Sequence, residues 1–338
     1  MQTKKIVSVT GEIPIDRCKM VLSHEHLFIN LTNQAAPGAS EKKISPADRR
    51  QLMCDPYSIR DNLLLNDTSD AAAECRRLLE YGCDTVVDCS AAQIGRDPEQ
   101  LKAISLQTGI KVIMGCGLYT SDTHPAEFAA MPIETAVSQL IGEIKNGING
   151  IRPGVIGEIG TSKEILPEEK KALQIAALAH QASKLAVQVH IYPWSSNGLE
   201  AADILMKGGV APQKIAICHS DVEPDWKYIS ELLKIGVYVE LDNFGKEFTP
   251  AAGGFAAGRF IPDTERAELA ARIIDAGFGG QLLLTNDICL KCMLASCGGE
   301  GYSHIFRNII PLIVKCGINE NYLKETVLRK NPLDMLAV

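Results

Sequence analysis

Eight short apolar runs, spread through 338 residues with helix-forming segments between them, constrain this chain more than any other feature. They cover residues 20–27, 84–91, 111–119, 154–160, 187–193, 215–221, 236–243 and 281–288. Most are rich in β-branched or small apolar residues, as parallel strands are when helices cover one face and other side chains pack on the other. The intervening segments carry helix signals. Asp97-Pro98 places an N-cap before a proline at the first helical position, and the helix predicted from there runs through Gln107 and stops at Gly109. Pro167-Glu168-Glu169 opens another, with Leu173, Ala176, Ala177 and His180 on one face. Pro224-Asp225-Trp226 opens a third that closes at Gly236, and residues 69–79 form a fourth ahead of Gly82.

Strands alternating with helices, without a composition break or linker, predict an α/β fold: a single (β/α)8 TIM barrel over residues 1–338. Its extended loops are expected after strands 1, 7 and 8. The longest irregular stretches are 30–45 and 244–262, the second containing the small-residue run Ala251-Ala-Gly-Gly-Phe-Ala-Ala-Gly258. Both follow a strand, the side on which barrel enzymes build their active sites. A doubly wound sheet is the alternative, disfavoured because no glycine-rich dinucleotide turn follows the first strand.

Lys and Arg total 34 against 41 Asp and Glu, a net charge of −7 that argues against nucleic acid or an anionic membrane as partner. No apolar run approaches the ~18 residues of a membrane span. Gly11, Glu12, Pro14 and Asp16 stand where a signal peptide would need an apolar core, so the expected location is cytoplasmic. Eleven cysteines, an odd number in a chain with an ordinary core, are read as reduced. The expected partner is a small-molecule substrate.

Chemistry concentrates in His24-Glu25-His26, in the first predicted strand. Side chains at i and i+2 of a strand point the same way, roughly 6.5–7 Å apart, so both imidazoles can reach one metal inside the barrel. Such a pair alone arises often by chance. Glu158, His190, His219 and Asp287, however, stand near the ends of the fourth, fifth, sixth and eighth predicted strands. A carboxylate among apolar strand residues is costly unless paired or metal-bound. Any one of these is readily a satisfied core polar group, but five strands delivering such residues together predict a shared dimetal site.

Further segments carry a resemblance: Leu22-Ser-His-Glu-His-Leu27, Gly95-Arg-Asp97, Val155-Ile-Gly-Glu-Ile-Gly-Thr-Ser162, Ile217-Cys-His-Ser-Asp221, Asp242-Asn-Phe-Gly245, Gly298-Gly-Glu-Gly-Tyr-Ser-His304 and Asn331-Pro332. With them the chain resembles the phosphotriesterase-like family of the amidohydrolase superfamily over nearly its whole length. The resemblance implies that His24, His26 and Asp287 hold the more buried metal, and His190 and His219 the more exposed one. Where the best-known members bridge the metals with a carbamylated lysine, this chain has Glu158, as a subset of the family does. It also favours a homodimer. Imidazole with carboxylate suits two Zn²⁺ ions, or Mn²⁺, Co²⁺ or Fe²⁺. A bound cation lowers the pKa of its water from ~15.7 to about 7, giving a bridging hydroxide nucleophile. Asp287 is then the natural proton acceptor and catalytic residue.

The resemblance spans lactonases, phosphotriesterases and hydrolases of other esters or amides. Asp242-Asn-Phe-Gly245 resembles the lactonase side, so the expected reaction is opening of a sugar lactone. Lys246, Arg259, Lys291 and Arg96 are loop cations that could bind an anionic group such as a phosphate, the bland alternative being solvated charge. Tyr119 and Tyr302 are candidate substrate contacts, and Tyr192 and Trp194 candidate walls. Cys289-Leu-Lys-Cys292 is read as local packing rather than a redox or zinc pair, and His124, His180 and His304 as structural. A phosphotriesterase or an N-acyl amide hydrolase on the same site is the alternative. A non-catalytic small-molecule-binding barrel would have lost one or more ligands, and all six candidates are present.

Overall fold

A computed structural model describes residues 4–250 and 258–338; residues 251–257 of the small-residue run lie outside them. All eight expected strands form: β1 (Met20–Glu25), β2 (Cys83–Asp88), β3 (Lys111–Cys116), β4 (Val155–Gly160), β5 (Val187–His190), β6 (Ile215–Ile217), β7 (Tyr238–Leu241) and β8 (Leu282–Leu284). They lie in unbroken sequential order, and every neighbouring pair is parallel. A doubly wound sheet would reverse that order about its first strand. β8 returns to β1 where Thr285 Oγ1 donates to His24 O at 2.7 Å and Asp287 N to the same oxygen at 3.2 Å, so the sheet nearly closes into a barrel.

Helices that follow the strands include α1 (Thr68–Glu80), α2 (Pro98–Thr108), α3 (Ile133–Asn146), α4 (Pro167–Ser183), α5 (Gly198–Lys207), α6 (Trp226–Ile235), α7 (Asp263–Ile273) and α8 (Ile310–Lys315). The start and stop signals act as their chemistry dictates. Asp97 accepts from Gln100 N at 3.0 Å and Asp225 from Lys227 N at 2.9 Å. Gly109 and Gly236 end α2 and α6 in the left-handed region that glycine enters without a Cβ clash. Among the described residues no helix is long and apolar enough to cross a membrane.

Inside the barrel, Val21, Val87, Ile113, Val155, Ala216 and Leu283 form an apolar plug with Ile6, Met335 and Leu336. The last three come from an N-terminal hairpin (Lys5–Ser8 with Gly11–Pro14) and a C-terminal helix (Asn331–Leu336) that close the barrel at the strands' N-terminal ends. The hairpin is a feature the apolar runs did not announce. Asn331 of the terminal motif donates to Gly279 O and Leu282 O, both at 2.8 Å, tying that helix to the start of β8.

Two bulges decide what faces the open end. In β1, Leu22 pairs with Val86 and Glu25 with Asp88, so three steps on one strand oppose two on the other. In β4, Ile156 pairs with Val187 and Ile159 with Val189, the same excess of one. An extra residue reverses the inward alternation beyond it. Val21 and Ser23 point inward before the β1 bulge, and His24 and His26 point inward after it; Val155 and then Glu158 do the same in β4. β3 can lie against the β4 bulge because Gly115 has no side chain: a Cβ there would sit 2.1 Å from Gly157 O.

Candidate metal centre

His24, His26 and Asp287 form one cluster, and Glu158, His190 and His219 a second, with the candidate ligand atoms of each within 4.8 Å of one another. Glu158 joins the two. Its Oε1 lies 3.5 Å from His26 Nε2, and its Oε2 lies 3.5 Å from His24 Nε2, 3.2 Å from His190 Nδ1 and 3.8 Å from His219 Nε2. Asp287 Oδ1 lies 3.1 Å from His26 Nε2 and 3.6 Å from His24 Nε2.

The donor set fits divalent cations. His24 Nε2 is buried without a hydrogen-bond partner although two carboxylates flank it, an arrangement that a polar group in a folded interior rarely tolerates. His190 Nδ1 faces Glu158, His219 Nε2 at 2.8 Å and the Tyr119 hydroxyl at 3.4 Å, more partners than one ring nitrogen can satisfy. Imidazole with carboxylate is the ligand chemistry of first-row divalent metals.

A polar layer behind the ligands orients them. His24 Nδ1 faces Glu240 Oε2 at 3.3 Å, His26 Nδ1 faces Ser90 Oγ at 2.8 Å, and His219 Nδ1 faces Asp242 Oδ1 at 3.0 Å. Ser90 donates its own proton to Phe28 O at 2.7 Å, so it accepts from His26. Acceptors at Nδ1 fix the proton there and aim the Nε2 lone pair at the centre. Glu240 also takes Ser23 Oγ at 2.5 Å and Gln188 Nε2 at 3.3 Å. The motifs do not announce this layer, although Glu240 and Gln188, an acid and an amide inside apolar runs spaced by two from Asp242 and His190, are its visible signal.

His219 and Asp287 both adopt left-handed backbone, with φ of 57° and 47°. That conformation costs roughly 1–2 kcal/mol for a residue with a side chain and collects at functional sites. Asp242 holds the His219 amide at 2.9 and 3.1 Å, and His24 O holds that of Asp287.

Charge in the centre is set by competition with burial. Burial opposes ionisation of Asp287, but the Lys246 ammonium on its Oδ2, with His26 and His24, holds it well below the usual carboxylate range. Burial likewise opposes ionisation of Glu158, and His24 and His190 outweigh it. Burial and the neighbouring His190 push His219 well down. For His24 burial is overcome by Glu158, Glu240 and Asp287, which pull it well up.

The centre forms the floor of a cavity of about 430 Å³ whose walls include Tyr119, Tyr192, Trp194 and Lys246. Burial and Glu158 push the Tyr119 phenol well up, so it stays a hydrogen-bond donor. The other contacts expected from the sequence are directed elsewhere. Tyr302 is buried behind the floor and donates to His26 O at 2.7 Å, supporting a ligand's backbone rather than touching substrate. Lys291 is drawn away by Asp61, 2.9 Å off in the loop after β1. Arg259 is exposed and pairs with Glu265 of α7. The Arg96 side chain is buried under α3, bound to Gly115 O at 2.7 Å and Glu143 at 2.8 Å. Of the four expected loop cations, Lys246 alone reaches the cavity.

Cys289 also lines the cavity, but burial pushes its thiol up to about 12, and that of Cys292 to about 11, unlike a reactive thiolate. All eleven cysteines are free. His124 and His180 bond to Tyr119 O and Leu185 O, each at 2.7 Å, and His304 to Asp263 at 2.7 Å.

A sequence profile of the phosphotriesterase family matches residues 4–336. The chain belongs to the phosphotriesterase family. Its relatives include the N-acetyltaurine hydrolase of Danio rerio, 34% identical over 343 residues that cover 97% of this chain and 96% of that one. Among solved structures, a resiniferatoxin-binding protein from Rhodobacter sphaeroides superposes with a TM-score of 0.90 at 29% identity, covering 98% of this chain and 94% of the other. A lactonase from Listeria monocytogenes superposes with a TM-score of 0.79 at 20% identity over 98% of each chain, and shares the barrel fold. Membership makes this chain part of a family of hydrolases, and its two ligand clusters are the family's candidate metal site.

Proposed function

We propose that the chain is a hydrolase using two divalent cations, zinc foremost, to cleave the carbonyl–nitrogen bond of a small N-acyl substrate. The observation that carries this reading is the full-length likeness to proteins named for hydrolysis of an N-acyl amide. His24, His26 and Asp287 would hold one cation and His190 and His219 the other, with Glu158 between them. When bound, such a pair supplies polarisation of the scissile carbonyl and acidification of a water molecule.

The chain's own residues then handle position and protons. Asp287 accepts the proton of the attacking water and returns it to the departing nitrogen, which leaves as an amine only once protonated. One C–O bond forms and the C–N bond breaks, giving a carboxylate and an amine. Lys246 grips the second oxygen of Asp287 and keeps the carboxylate from turning away from the cavity. The Tyr119 hydroxyl, beside His190, is a donor to the substrate oxygen.

A lactone is the second reading, favoured by the Asp242-Asn-Phe-Gly245 segment, where Asp242 braces His219 as described above. Zinc-loaded protein is to be assayed against N-acetyl amides, γ- and δ-lactones and a phosphotriester. The amide reading predicts kcat/KM at least about tenfold higher for the best amide than for any lactone; the reverse order overturns it in favour of the lactone.

A further inference from the structure

With Arg96, Arg259 and Lys291 engaged elsewhere, the cavity still carries a cation that the loop charges did not suggest. Lys163, on the loop between β4 and α4, is exposed, lines the cavity and forms no ion pair among the described residues. Lys246, the other lysine of the cavity, is already paired with Asp287.

The root of Lys163 is fixed. Glu169, buried in the first turn of α4, accepts from Ser162 N at 2.9 Å, Ser162 Oγ at 2.6 Å and Leu166 N at 2.9 Å. The same carboxylate takes Ser121 N at 3.2 Å, clamping the loop after β3 to the loop after β4. Burial opposes its charge, but these donors hold Glu169 below its ordinary value, so it stays an acceptor. A lysine whose neighbouring backbone is held by such a clamp needs less loop ordering on binding than one on a loose loop, which favours recognition. Asp122 also lines the cavity, but its Oδ1 is taken by Thr120 Oγ1 at 2.6 Å.

Position then separates two tasks. The ligand clusters lie on the buried floor, where a scissile carbonyl must reach, and Lys163 stands at the solvent side of the same cavity. We propose that Lys163 reads an anionic group on the part of the substrate remote from the scissile carbonyl, selecting N-acyl amino sulfonates or N-acyl amino acids over neutral amides. Lys163 is a specificity residue and takes no part in the proton transfers. The bond cleaved rests on the amide reading above; the preference for negative charge rests on Lys163 alone.

The test compares N-acetyltaurine with its neutral counterpart N-acetylethanolamine, using zinc-loaded wild type and the variants Lys163→Gln, Lys163→Glu and Lys163→Arg. Lys163→Gln is expected to raise KM for N-acetyltaurine about tenfold, with kcat within about twofold and the neutral amide unaffected. Lys163→Glu should lose more, and Lys163→Arg should keep the wild-type preference. A loss shared equally by both amides assigns Lys163 to loop structure and overturns the proposal, as does an unchanged preference in Lys163→Gln. If wild type cleaves neither amide, the amide reading fails, and calorimetric binding of N-acetyltaurine to wild type and Lys163→Gln still reads the charge. Equal affinities there overturn the role of Lys163.

Discussion

Replacing Asp287 by Asn is expected to lower kcat about 10³-fold, within the ~10²–10⁴ that a positioned general base supplies. The amide keeps the shape of the side chain but cannot take a proton from water at neutral pH. It also leaves the buried Lys246 ammonium without its carboxylate. Measuring kcat together with the metal content of the same sample separates the two roles. Metal retained with kcat lost identifies the proton acceptor, whereas metal lost along with kcat identifies a ligand first. A variant that keeps metal and stays within tenfold of wild type contradicts the role given to Asp287.

The second large effect lies at Glu25, between the two strand histidines but facing the other way. Its carboxylate is fully buried. It accepts from Asn286 N at 2.9 Å, Asn286 Nδ2 at 2.8 Å and Ile288 N at 2.9 Å, and lies 2.8 Å from the Thr285 hydroxyl, whose single proton it shares with His24 O. These donors surround Asp287 in the chain, so Glu25 fixes the segment that carries the proposed base. Glu25→Ala strands three neutral donors in the interior, each costing about 1–3 kcal/mol when left unpaired, and should cost about 3–5 kcal/mol in urea unfolding. A loss under about 1 kcal/mol would mean that water replaces the carboxylate and that Asp287 is held by other contacts.

The barrel was legible because its signal is local: each strand is a short apolar run, and helices such as α2 and α6 are marked by an Asp before them and a Gly after them. The clustering of the candidate ligands was legible for the same reason, since His-x-His and the acids and histidines at strand ends stand out against apolar neighbours. The bulges of β1 and β4 were not, because an extra residue in a strand changes which face a side chain takes without changing composition. Three of the four loop cations, Arg96, Arg259 and Lys291, turn elsewhere for a different reason. A charge is aimed by its partner, and Lys291 answers to Asp61, 230 residues away, as Tyr302 answers to His26 across 276 residues. Lys163 was not singled out because it looks like ordinary solvated charge, and Glu169 was read only as part of a helix start because its loop partners are not visible in the sequence.

The direct test of the account is the metal content of the purified protein, equilibrated with zinc and dialysed, measured by inductively coupled plasma mass spectrometry. The clustered ligands predict about two divalent ions per chain in the wild type, falling to one or none in Glu158→Ala while circular dichroism stays that of the folded barrel. A folded wild-type chain that retains no divalent ion under those conditions would contradict the metal centre, and with it the proposed hydrolysis.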